Sequence, residues 1–294
     1  MASMRDIRRR IKSVRSTAQI TKAMQMVAAA KMRRSQQAAL NSRPYSHMLH
    51  NMLVSIYTQL ENGFSCSPLY SNRPVQKEAV ILVTTDKGLC GGLNTNLIRE
   101  ASRFNPESTV FLTAGRKGAQ FVHRTKRQLV GEFTFHDAPQ YSEARSIVKM
   151  ATELFLEGKV DKVSIIYPKF KSTMSQTPTT QALLPLTELK PVTDKEYSVD
   201  DEDTPETQHS DILFEPSPKA LFSALLPHYL NTIVYHVLLE AKACEFSARM
   251  VSMKSATDNA NSLIKELTIH YNKLRQTGIT NQLLEIASAT SSLS

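Results

Sequence analysis

Hydrophobic and small residues recur at alternating spacings of four and three along both ends of the chain. Near the N-terminus this seam consists of Ile7, Ile11, Val14, Ala18, Thr21, Gln25, Ala28 and Met32. Near the C-terminus it consists of Leu230, Val234, Val237, Ala241, Cys244, Ala248 and Val251. A heptad seam of this kind is typical of an α-helix that packs against another helix. Both ends of the chain are therefore predicted to be helical.

The distribution of helix breakers predicts how far the first helix extends. Residues 1–43 contain neither glycine nor proline, so we expect one helix over about residues 5–42. Its length would be ~57 Å, because each helical residue adds about 1.5 Å. Pro44 is expected to kink or interrupt this helix, since proline cannot donate the helical hydrogen bond. Residues 47–60 can resume it.

The second helix has its own start signal. The dipeptide Ser217–Pro218 combines an N-cap residue with a proline at the first helical position. Residues 228–277 again lack glycine and proline, so we expect a helix over about residues 219–287, roughly 100 Å long. Pro227 should bend it early, and Gly278 should weaken it late.

The middle of the chain alternates between apolar runs and amphipathic segments. The predicted strands cover residues 79–85, 109–113, 128–135 and 160–167, with a weaker strand at 179–186. The predicted helices cover residues 94–104, 115–125 and 142–157. Strands that alternate with helices predict a doubly wound, mostly parallel sheet.

The predicted fold class is therefore α/β plus a long antiparallel coiled coil. An N-terminal helix (1–60) pairs with a C-terminal helix (217–290), and a Rossmann-like α/β domain (75–213) is inserted between them. Helices several times longer than the usual length of about 11 to 12 residues cannot be covered by one small domain. One face of the pair must therefore meet water or another protein, as in a shaft that runs through a partner. A helical bundle that folds back on itself is the alternative.

Composition narrows the class of protein. The chain has 294 residues, of which 41% are hydrophobic and 21% charged, as in a folded soluble protein of one or two domains. It has no run of 18 apolar residues, so no membrane-spanning helix is expected, and we recognise no secretory signal at its start. The cysteines Cys66, Cys90 and Cys244 are scattered, which favours a reduced compartment over disulfides or structural zinc.

The positive charge is concentrated in one segment. Residues 1–43 hold eleven lysines or arginines against one acid, Asp6, whereas the whole chain carries +9. A basic helix favours an acidic partner, which could be nucleic acid, an anionic membrane or an acidic protein. The segment has no aromatic residue for base stacking, which argues against nucleic acid. The acidic stretch Asp194–Glu206 is interpreted as a solvated loop.

The glycine-rich turn after the first predicted strand is a candidate phosphate site, because N–H groups at a helix N-terminus bind anions. Its residues Gly88, Cys90, Gly91 and Gly92 fit neither the P-loop nor the G-x-G-x-x-G spacing. We therefore expect a structural turn that lets strand and helix pack closely, with nucleotide binding as the alternative. Cys90 has no histidine nearby in sequence to activate it as a nucleophile.

Other polar groups are weaker signals. The eight histidines lack the spacing of metal ligands, so no metal site is expected. Glu245 and Arg249 stand in the favourable i, i+4 order for a helical ion pair. Arg275, Gln276 and Thr280 place three hydrogen-bonding side chains within about two turns. Both groups also fit an ordinary solvated helix surface.

Four segments together resemble the γ subunit family of the rotary ATP synthases. They are ITKAMQMVAAAK (Ile20–Lys31), TDKGLCGGLN (Thr85–Asn94), SARM with ATDNA (Ser247–Met250 and Ala256–Ala260), and NKLRQTGIT (Asn272–Thr280) with Glu285–Ile286 after it. They occur in the family's order and at its separations, so the resemblance covers effectively the whole chain. Each motif alone is weakly specific, but the set is very specific.

The resemblance implies a fold and a function. In this family the two terminal helices form a shaft inside a hexamer of three α and three β subunits, and the α/β domain lies near the ε subunit and the ring of c subunits. Proton flow turns the ring and the shaft, whose asymmetry drives the β catalytic sites through their states. The resemblance thus implies a rotor that is not an enzyme by itself, binds no cofactor and no nucleic acid, and has an acidic β-subunit loop as the partner of its basic helix.

The resemblance also implies roles for single residues. Lys22 and Met24 match positions near the acidic β loop. Arg275, Gln276 and Thr280 match contacts to loops of the α and β subunits, and Glu245 and Arg249 match a pair in the shaft helix. The chain departs from the family at Lys87, where many members have arginine, and at Ser288–Thr290, which replace a usual glycine.

The start of the sequence and the residues of the glycine-rich turn resemble those of bacterial members of the family. This implies a peripheral protein on the cytoplasmic face of a bacterial inner membrane. No cysteine lies between Cys90 and Cys244, so the redox switching of chloroplast members is not expected. Two hypotheses from the residues alone stay open: a nucleotide-binding α/β enzyme with helical arms, and a basic coiled-coil protein that binds nucleic acid in a salt-dependent manner.

Overall fold

The computed structural model describes residues 4–59, 69, 73–186, 215 and 217–293. Cys66, the acidic stretch 194–206 and the predicted domain end at 213 lie outside the described residues. The chain divides into two compact units. We call Met1–Ala30 with Arg249–Ser294 the paired-helix unit, and Lys31–Ala248 the α/β unit.

Two helices contribute residues to both units. Helix α1 spans Met4–Gln59 and helix α5 spans Pro218–Leu293. Of the kink or interruption predicted at Pro44, the interruption is wrong, because α1 is helical on both sides of it. Helix α5 continues through Pro227, where a bend was predicted. A proline inside a helix removes one hydrogen bond at a cost of ~3 kcal/mol. Buried side chains of each helix, such as Ala39 and Leu49 of α1 and Leu226 and Leu230 of α5, favour the helix on both sides of its proline.

The pairing of the two helices is antiparallel within each unit. In the paired-helix unit Thr21 contacts Thr257, whereas Met4, near the start of α1, approaches Gly278 farther along α5. The buried residues of this pair include seam positions predicted from the sequence. These are Ile7, Ala18 and Ala28 from α1. Met253, Thr257 and Ala260 of α5 are also buried here, but they were not among the predicted seam positions.

The α/β unit is built on a five-stranded sheet with the order β3-β2-β1-β4-β5. Its strands are β1 (Glu78–Val83), β2 (Thr109–Ala114), β3 (Gln128–Phe133), β4 (Lys162–Phe170) and β5 (Gln176–Leu184). The first four are parallel and β5 pairs antiparallel with β4. The predicted doubly wound, mostly parallel sheet is therefore confirmed. β5 begins three residues earlier than the predicted 179.

Helices cover both faces of this sheet, because the side chains of β1 alternate between two apolar clusters. Helices α2 (Leu93–Ser102) and α3 (Arg116–Arg124) cover the face of Val80 and Leu82. Helix α4 (Tyr141–Leu156) covers the face of Ile81 and Val83, together with the α/β-unit parts of α1 and α5. The two long helices thus supply part of this core, through side chains such as Leu53, Ile56, Phe222 and Leu226.

Candidate functional site

The paired-helix unit presents the first group of predicted contact residues. Lys22 is exposed on α1, and its Nζ donates a hydrogen bond to Gln25 Oε1 at 3.4 Å. Met24 is half-buried. Lys22 is the immediate neighbour of Thr21, whose hydroxyl oxygen lies 2.8 Å from that of Thr257 on α5. Lys22 therefore lies at about the same position along the helix pair as Thr257.

The second predicted group lies at a different level of the same pair. Arg275, Gln276 and Thr280 are exposed on α5, and Thr280 Oγ1 donates to Gln276 O at 2.9 Å. Arg275 is eighteen residues beyond Thr257 in the sequence, which is about 27 Å along a helix. The structure therefore does not bring the two groups into one site. The two groups lie at different positions along the helix pair.

Basic and apolar side chains are exposed together on the paired-helix unit. The exposed cations near the start of α1 are Arg5, Arg8, Arg9, Arg10, Lys12 and Arg15. Large apolar side chains that are at least half exposed are Ile20, Met26, Val27, Ile269, Ile279, Leu283, Leu284 and Ile286, with Ile269 at 71%. Exposed apolar groups close to charged groups are typical of a protein-binding surface.

The glycine-rich turn after β1 is held by its own side chains. Asn94 Nδ2 donates to Thr85 Oγ1 at 2.8 Å and to Cys90 Sγ at 3.3 Å, and Asn94 Oδ1 accepts from the Thr85 N–H at 3.2 Å. Cys90 is buried. Gly91 has φ +58°, in the left-handed region that favours glycine.

Close packing does not explain the other glycines of this turn. A Cβ atom at Gly88 would meet nothing within 4 Å, and at Gly92 it would meet only Asn96 Nδ2 at 3.9 Å. The expected close approach of strand and helix is therefore wrong for these two residues. A close approach does occur at Gly115, between β2 and α3, where a Cβ would lie 2.3 Å from Thr84 O.

The start of α3 offers no free N–H groups to a phosphate. The N–H of Arg116 donates to Asp86 Oδ1 at 3.1 Å, that of Lys117 to Thr85 O at 3.1 Å, and that of Gly118 to Thr84 Oγ1 at 2.8 Å. A phosphate cradle needs such groups unpaired. These contacts argue against a phosphate at the start of α3.

A cluster of four charged side chains, which sequence analysis missed, connects three segments of the α/β unit. We call Lys31, Asp137, Lys242 and Glu245 the charged cluster. Lys31 Nζ binds Asp137 Oδ2, and Lys242 Nζ lies 3.9 Å from Asp137 Oδ1 and 3.1 Å from Glu245 Oε2. The Lys242 side chain is only 2% exposed, and its Nζ also lies 4.4 Å from the ring centre of Phe135.

The electrostatics of the cluster favour its charged form. The hydrogen bond from Lys31 holds the pKa of Asp137 below its ordinary value, and the positive charges of Lys31, Lys242 and Lys87 act in the same direction. Glu245 Oε2 forms an ion pair with Lys242 Nζ, and the pairing of Glu245 with Arg249 stays a prediction. A lysine inside the apolar run of α5 (LLEAKACEF) was the available sequence signal, because lysine is almost never fully buried without a partner.

Polar contacts also tie α5 to the hairpin of β4 and β5. The Phe170 N–H donates to Glu240 Oε1 at 2.9 Å, Cys244 Sγ donates to Pro168 O at 3.3 Å, and Ser247 Oγ donates to Thr173 O at 2.7 Å. Burial raises the pKa of Glu240 despite the hydrogen bond from Phe170. Burial also raises the pKa of the Cys244 thiol, which leaves it a poor nucleophile.

Three histidines join α1 to α5 in the α/β unit. His236 Nδ1 lies 2.9 Å from Ser42 Oγ, and His50 Nδ1 lies 2.7 Å from Tyr229 OH. His228 lies between two tyrosine hydroxyls, those of Tyr45 on α1 at 2.6 Å and Tyr141 on α4 at 2.9 Å. Burial lowers the pKa of His236 to about 4, with the positive charge of Arg43 and the proximity of His47 adding to the effect.

Neither a metal site nor a membrane span is found among the residues that the structure describes. No group of three or more histidine, cysteine, aspartate or glutamate side chains lies close enough to hold a metal ion in that part of the chain. The described helices also lack any stretch that is long and apolar enough to cross a membrane.

Comparison with known proteins gives the family. The family model described as ATP synthase matches residues 3–293. The ATP synthase gamma chain of Opitutus terrae is 45% identical to this chain and is aligned over 98% of both. The chain belongs to the ATP synthase gamma chain family. The gamma chain of Desulfitobacterium hafniense, also a member, is 41% identical over 100% of both chains.

Solved structures agree with membership of the gamma chain family. A chain in the central stalk and c-ring structure of the Tetrahymena thermophila mitochondrial ATP synthase is 25% identical, with a TM-score of 0.59 over 81% of this chain and 99% of that one. A chain of the Euglena gracilis mitochondrial ATP synthase has a TM-score of 0.68 over 99% of this chain and 94% of that one. At 19% identity, the second likeness shows the fold alone.

Proposed function

We propose that this gamma-family chain is the central rotor shaft of an F-type ATP synthase. Proton flow through a membrane ring of c subunits turns the shaft, and the turning shaft changes the conformation of the catalytic sites on the β subunits. Its partners are three α subunits, three β subunits, the ε subunit and the c-ring. The chain acts as a peripheral protein on the cytoplasmic face of a bacterial inner membrane.

The observation that carries this proposal is the surface of the paired-helix unit. Its two helices bury small seam residues against each other and leave apolar and basic groups exposed. A large apolar side chain such as Ile269, 71% exposed, gains stability only when a partner removes it from water. An enclosing ring of subunits with acidic loops would bury these apolar groups and pair these cations.

The predicted contact residues have defined roles in this proposal. Lys22 and Met24 face the acidic loop of a β subunit, and Arg275, Gln276 and Thr280 hydrogen-bond to loops of the α and β subunits. Because the two groups lie at different heights of the helix pair, they would engage different loops. Glu245 and Arg249 belong to the same shaft helix.

We further propose that the chain catalyses no reaction by itself. Its candidate nucleophiles Cys90 and Cys244 are buried, and the N–H groups at the start of α3 already have acceptors within the chain. The turn formed by Gly88, Cys90, Gly91 and Gly92 is proposed to be structural. The nucleotide sites would belong to the α and β subunits.

Co-purification tests the proposal directly. The chain is tagged in its native host, the membranes are solubilised gently, and the partners are identified with their stoichiometry. Three α and three β subunits per copy are expected, with ATPase activity in the complex and none in the isolated chain. Recovery of the chain alone, or ATP turnover by the pure chain, would overturn it. Salt-sensitive capture of nucleic acid would favour the basic coiled-coil alternative.

A further inference from the structure

The charged cluster connects three parts of the α/β unit that are far apart in sequence. Lys31 comes from α1, Asp137 from the segment between β3 and α4, and Lys242 and Glu245 from α5. The signs alternate along the chain of contacts, because each neighbouring pair joins a cation to a carboxylate. The Lys31–Asp137 and Lys242–Asp137 pairs therefore connect α1 and α5 to the segment that follows β3, at the edge of the sheet.

Asp137 is held in place by a preorganised segment. Glu143, in the first turn of α4, accepts hydrogen bonds from the Gln140 N–H at 2.7 Å and from the His136 N–H at 3.1 Å. His136 Nδ1 lies 2.6 Å from the same carboxylate. Burial raises the pKa of Glu143, but these hydrogen bonds outweigh burial and keep the pKa below its ordinary value. Glu143 thus stays ionised and fixes the segment that carries Asp137.

Aromatic rings complete the arrangement on the helix side. Phe135, two residues before Asp137, is buried under Lys242 Nζ, which lies 4.4 Å from the ring centre. Lys31 Nζ lies 5.6 Å from the ring centre of Phe246 on α5. Cation–π contacts of this kind add to the ion pairs and restrict the directions in which each lysine can move.

The cluster is poorly suited to a purely stabilising role. Burying an ammonium group such as that of Lys242 costs solvation free energy that an ion pair often does not fully offset, whereas an apolar residue at the same position would pack without this cost. Ion pairs and directed hydrogen bonds fix the positions of the segments that carry them relative to one another.

We propose that the charged cluster locks the sheet of the α/β unit to the parts of α1 and α5 that lie in the same unit, so that torque applied to the sheet reaches both helices together. This inference rests on the proposed rotor function. Lys31, Asp137, Lys242 and Glu245 are positioning residues: they touch no substrate and act by stiffening the joint between sheet and helices.

The test uses the assembled ATP synthase and variants that leave the fold intact. Asp137 is 58% exposed and Lys31 43% exposed, so Asp137→Asn and Lys31→Met remove the ion pair without opening the core. The matched control is Glu153→Gln, which removes an exposed ion pair with Lys149 inside α4. Lys31→Arg, which keeps the positive charge, serves as the conservative rescue.

Two measurements report on the stiffness of the connection between the sheet and the helices α1 and α5, rather than on the stability of the fold. A probe is attached to a cysteine introduced at the exposed Glu107 after Cys66 has been replaced by alanine, because Cys90 and Cys244 are buried. The width of the angular distribution of the probe during catalytic pauses gives the torsional stiffness, since thermal angular variance is inversely proportional to stiffness. Protons pumped per ATP hydrolysed are measured in inverted membrane vesicles.

Asp137→Asn and Lys31→Met are each expected to widen the angular distribution and to lower the protons pumped per ATP, while ATP hydrolysis continues. The double variant should be no worse than Asp137→Asn alone, because that variant already removes the Lys31–Asp137 pair, together with the contact between Asp137 and Lys242. Lys31→Arg and Glu153→Gln should behave like the unmodified chain. Unchanged widths and pumping in both single variants, or equal effects from Glu153→Gln, would overturn the inference. Failure of the unmodified chain to rotate within α and β subunits would instead overturn the proposed function.

Discussion

The same helix, α5, has two different environments in this molecule. Within the α/β unit nearly every residue of α5 from Leu238 to Ala248 is buried, including the charged Lys242 and Glu245. Within the paired-helix unit, buried residues of α5 include Met253, Thr257 and Ala260, while Ile269, Ile279 and Leu283 are at least half exposed. One stretch is packed by its own chain, and the other leaves apolar surface for something else to cover.

This difference shows how one continuous helix can perform two tasks. The α/β unit fixes α5 through a core and through directed polar contacts, such as Cys244 to Pro168 and Ser247 to Thr173. The paired-helix unit relies on one narrow seam with a threonine pair. Internal interactions thus hold the first stretch, whereas the second would gain most of its burial from partners. Substitutions should therefore affect stability strongly in the first unit and weakly in the second.

The largest effect is expected from Glu245→Ala. Glu245 Oε2 lies 3.1 Å from Lys242 Nζ, and its loss leaves a buried ammonium without its nearest counter-charge. Such a change costs about 3–5 kcal/mol of the free energy of unfolding, which urea unfolding of the whole chain measures. Glu245→Gln, which keeps the shape and an acceptor, should cost less.

The control for this prediction is Glu153→Ala, which removes an exposed helical ion pair with Lys149. An exposed pair contributes about 0–1 kcal/mol. Equal losses from Glu245→Ala and Glu153→Ala would show that burial of the Lys242–Glu245 pair has no energetic consequence.

A second large effect is expected from pH, through His236. Its pKa falls from 6.5 to about 4 on folding, so the unfolded chain binds more protons between these values. His236 therefore contributes stability that is fully present above pH 6.5 and is lost as the pH falls toward about 4. The total loss is on the order of 3 kcal/mol. It is measured as the difference in unfolding free energy between pH 7 and progressively lower pH.

His236→Gln should remove this pH dependence, because glutamine does not titrate. His123→Gln is the control, since His123 is exposed on α3 and should leave the profile unchanged. If the slope between pH 6.5 and 4 survived in His236→Gln, the acid sensitivity would have to come from other groups, such as the carboxylates Asp137 and Glu143, whose pKa values are lowered.

Much of the fold could be predicted because its signals are local. The heptad seams, the lack of breakers and the alternation of strands with helices identify α1, α5 and the parallel sheet. The start of β5 was missed because Pro178 reads as a strand breaker. In the structure β5 pairs with β4 and lies at the edge of the sheet, where a proline is tolerated because its missing N–H faces no neighbouring strand.

The charged cluster could not be predicted in the same way. Lys31, Asp137 and Lys242 each lie about a hundred residues along the chain from the next, and only the packing of α1, α5 and the segment after β3 brings them together. The helix interruption at Pro44 was wrong for a related reason. Local propensity predicts a break there, but tertiary packing of α1 overrides it.

A smaller effect is expected in the seam of the paired-helix unit. Thr257 is buried, and its Oγ1 donates to Met253 O at 2.8 Å and lies 2.8 Å from Thr21 Oγ1. Thr257→Val keeps the shape but removes both contacts and leaves Thr21 Oγ1 with less hydrogen bonding, at a cost of about 1 kcal/mol. Amide hydrogen exchange of the flanking helix residues measures this local loss.

Thr268→Val is the control for this seam, because Thr268 is exposed on the same helix and donates only to Ile264 O. The cycle with Thr21→Val isolates the contact between the two hydroxyls. Equal changes in exchange for Thr257→Val and Thr268→Val would mean that the seam hydroxyls add nothing to the pairing of the helices.

The smallest effect on stability is expected from Lys22→Ala and Arg275→Ala. These variants also test most directly whether the surface of the paired-helix unit is bound by partners. Both side chains are exposed, so each variant should change the free energy of unfolding of the isolated chain by no more than about 0.5 kcal/mol. In the reconstituted complex with α and β subunits, the same variants should weaken assembly and lower ATPase activity, because the proposed ion pairs with the surrounding subunits are lost. Since the two residues lie at different heights of α1 and α5, they should contact different loops, and their effects on assembly should add.

Lys149→Ala is the matched control for this prediction, because Lys149 is an exposed lysine on α4 of the α/β unit. It should leave both stability and assembly unchanged. If Lys22→Ala and Arg275→Ala destabilised the isolated chain while assembly was unaffected, the exposed side chains of the paired-helix unit would stabilise that unit itself rather than bind a partner. The contrast between an internally fixed stretch and a partner-bound stretch of α5 would then be wrong. Loss of assembly at unchanged stability is the result that only a partner-bound surface predicts.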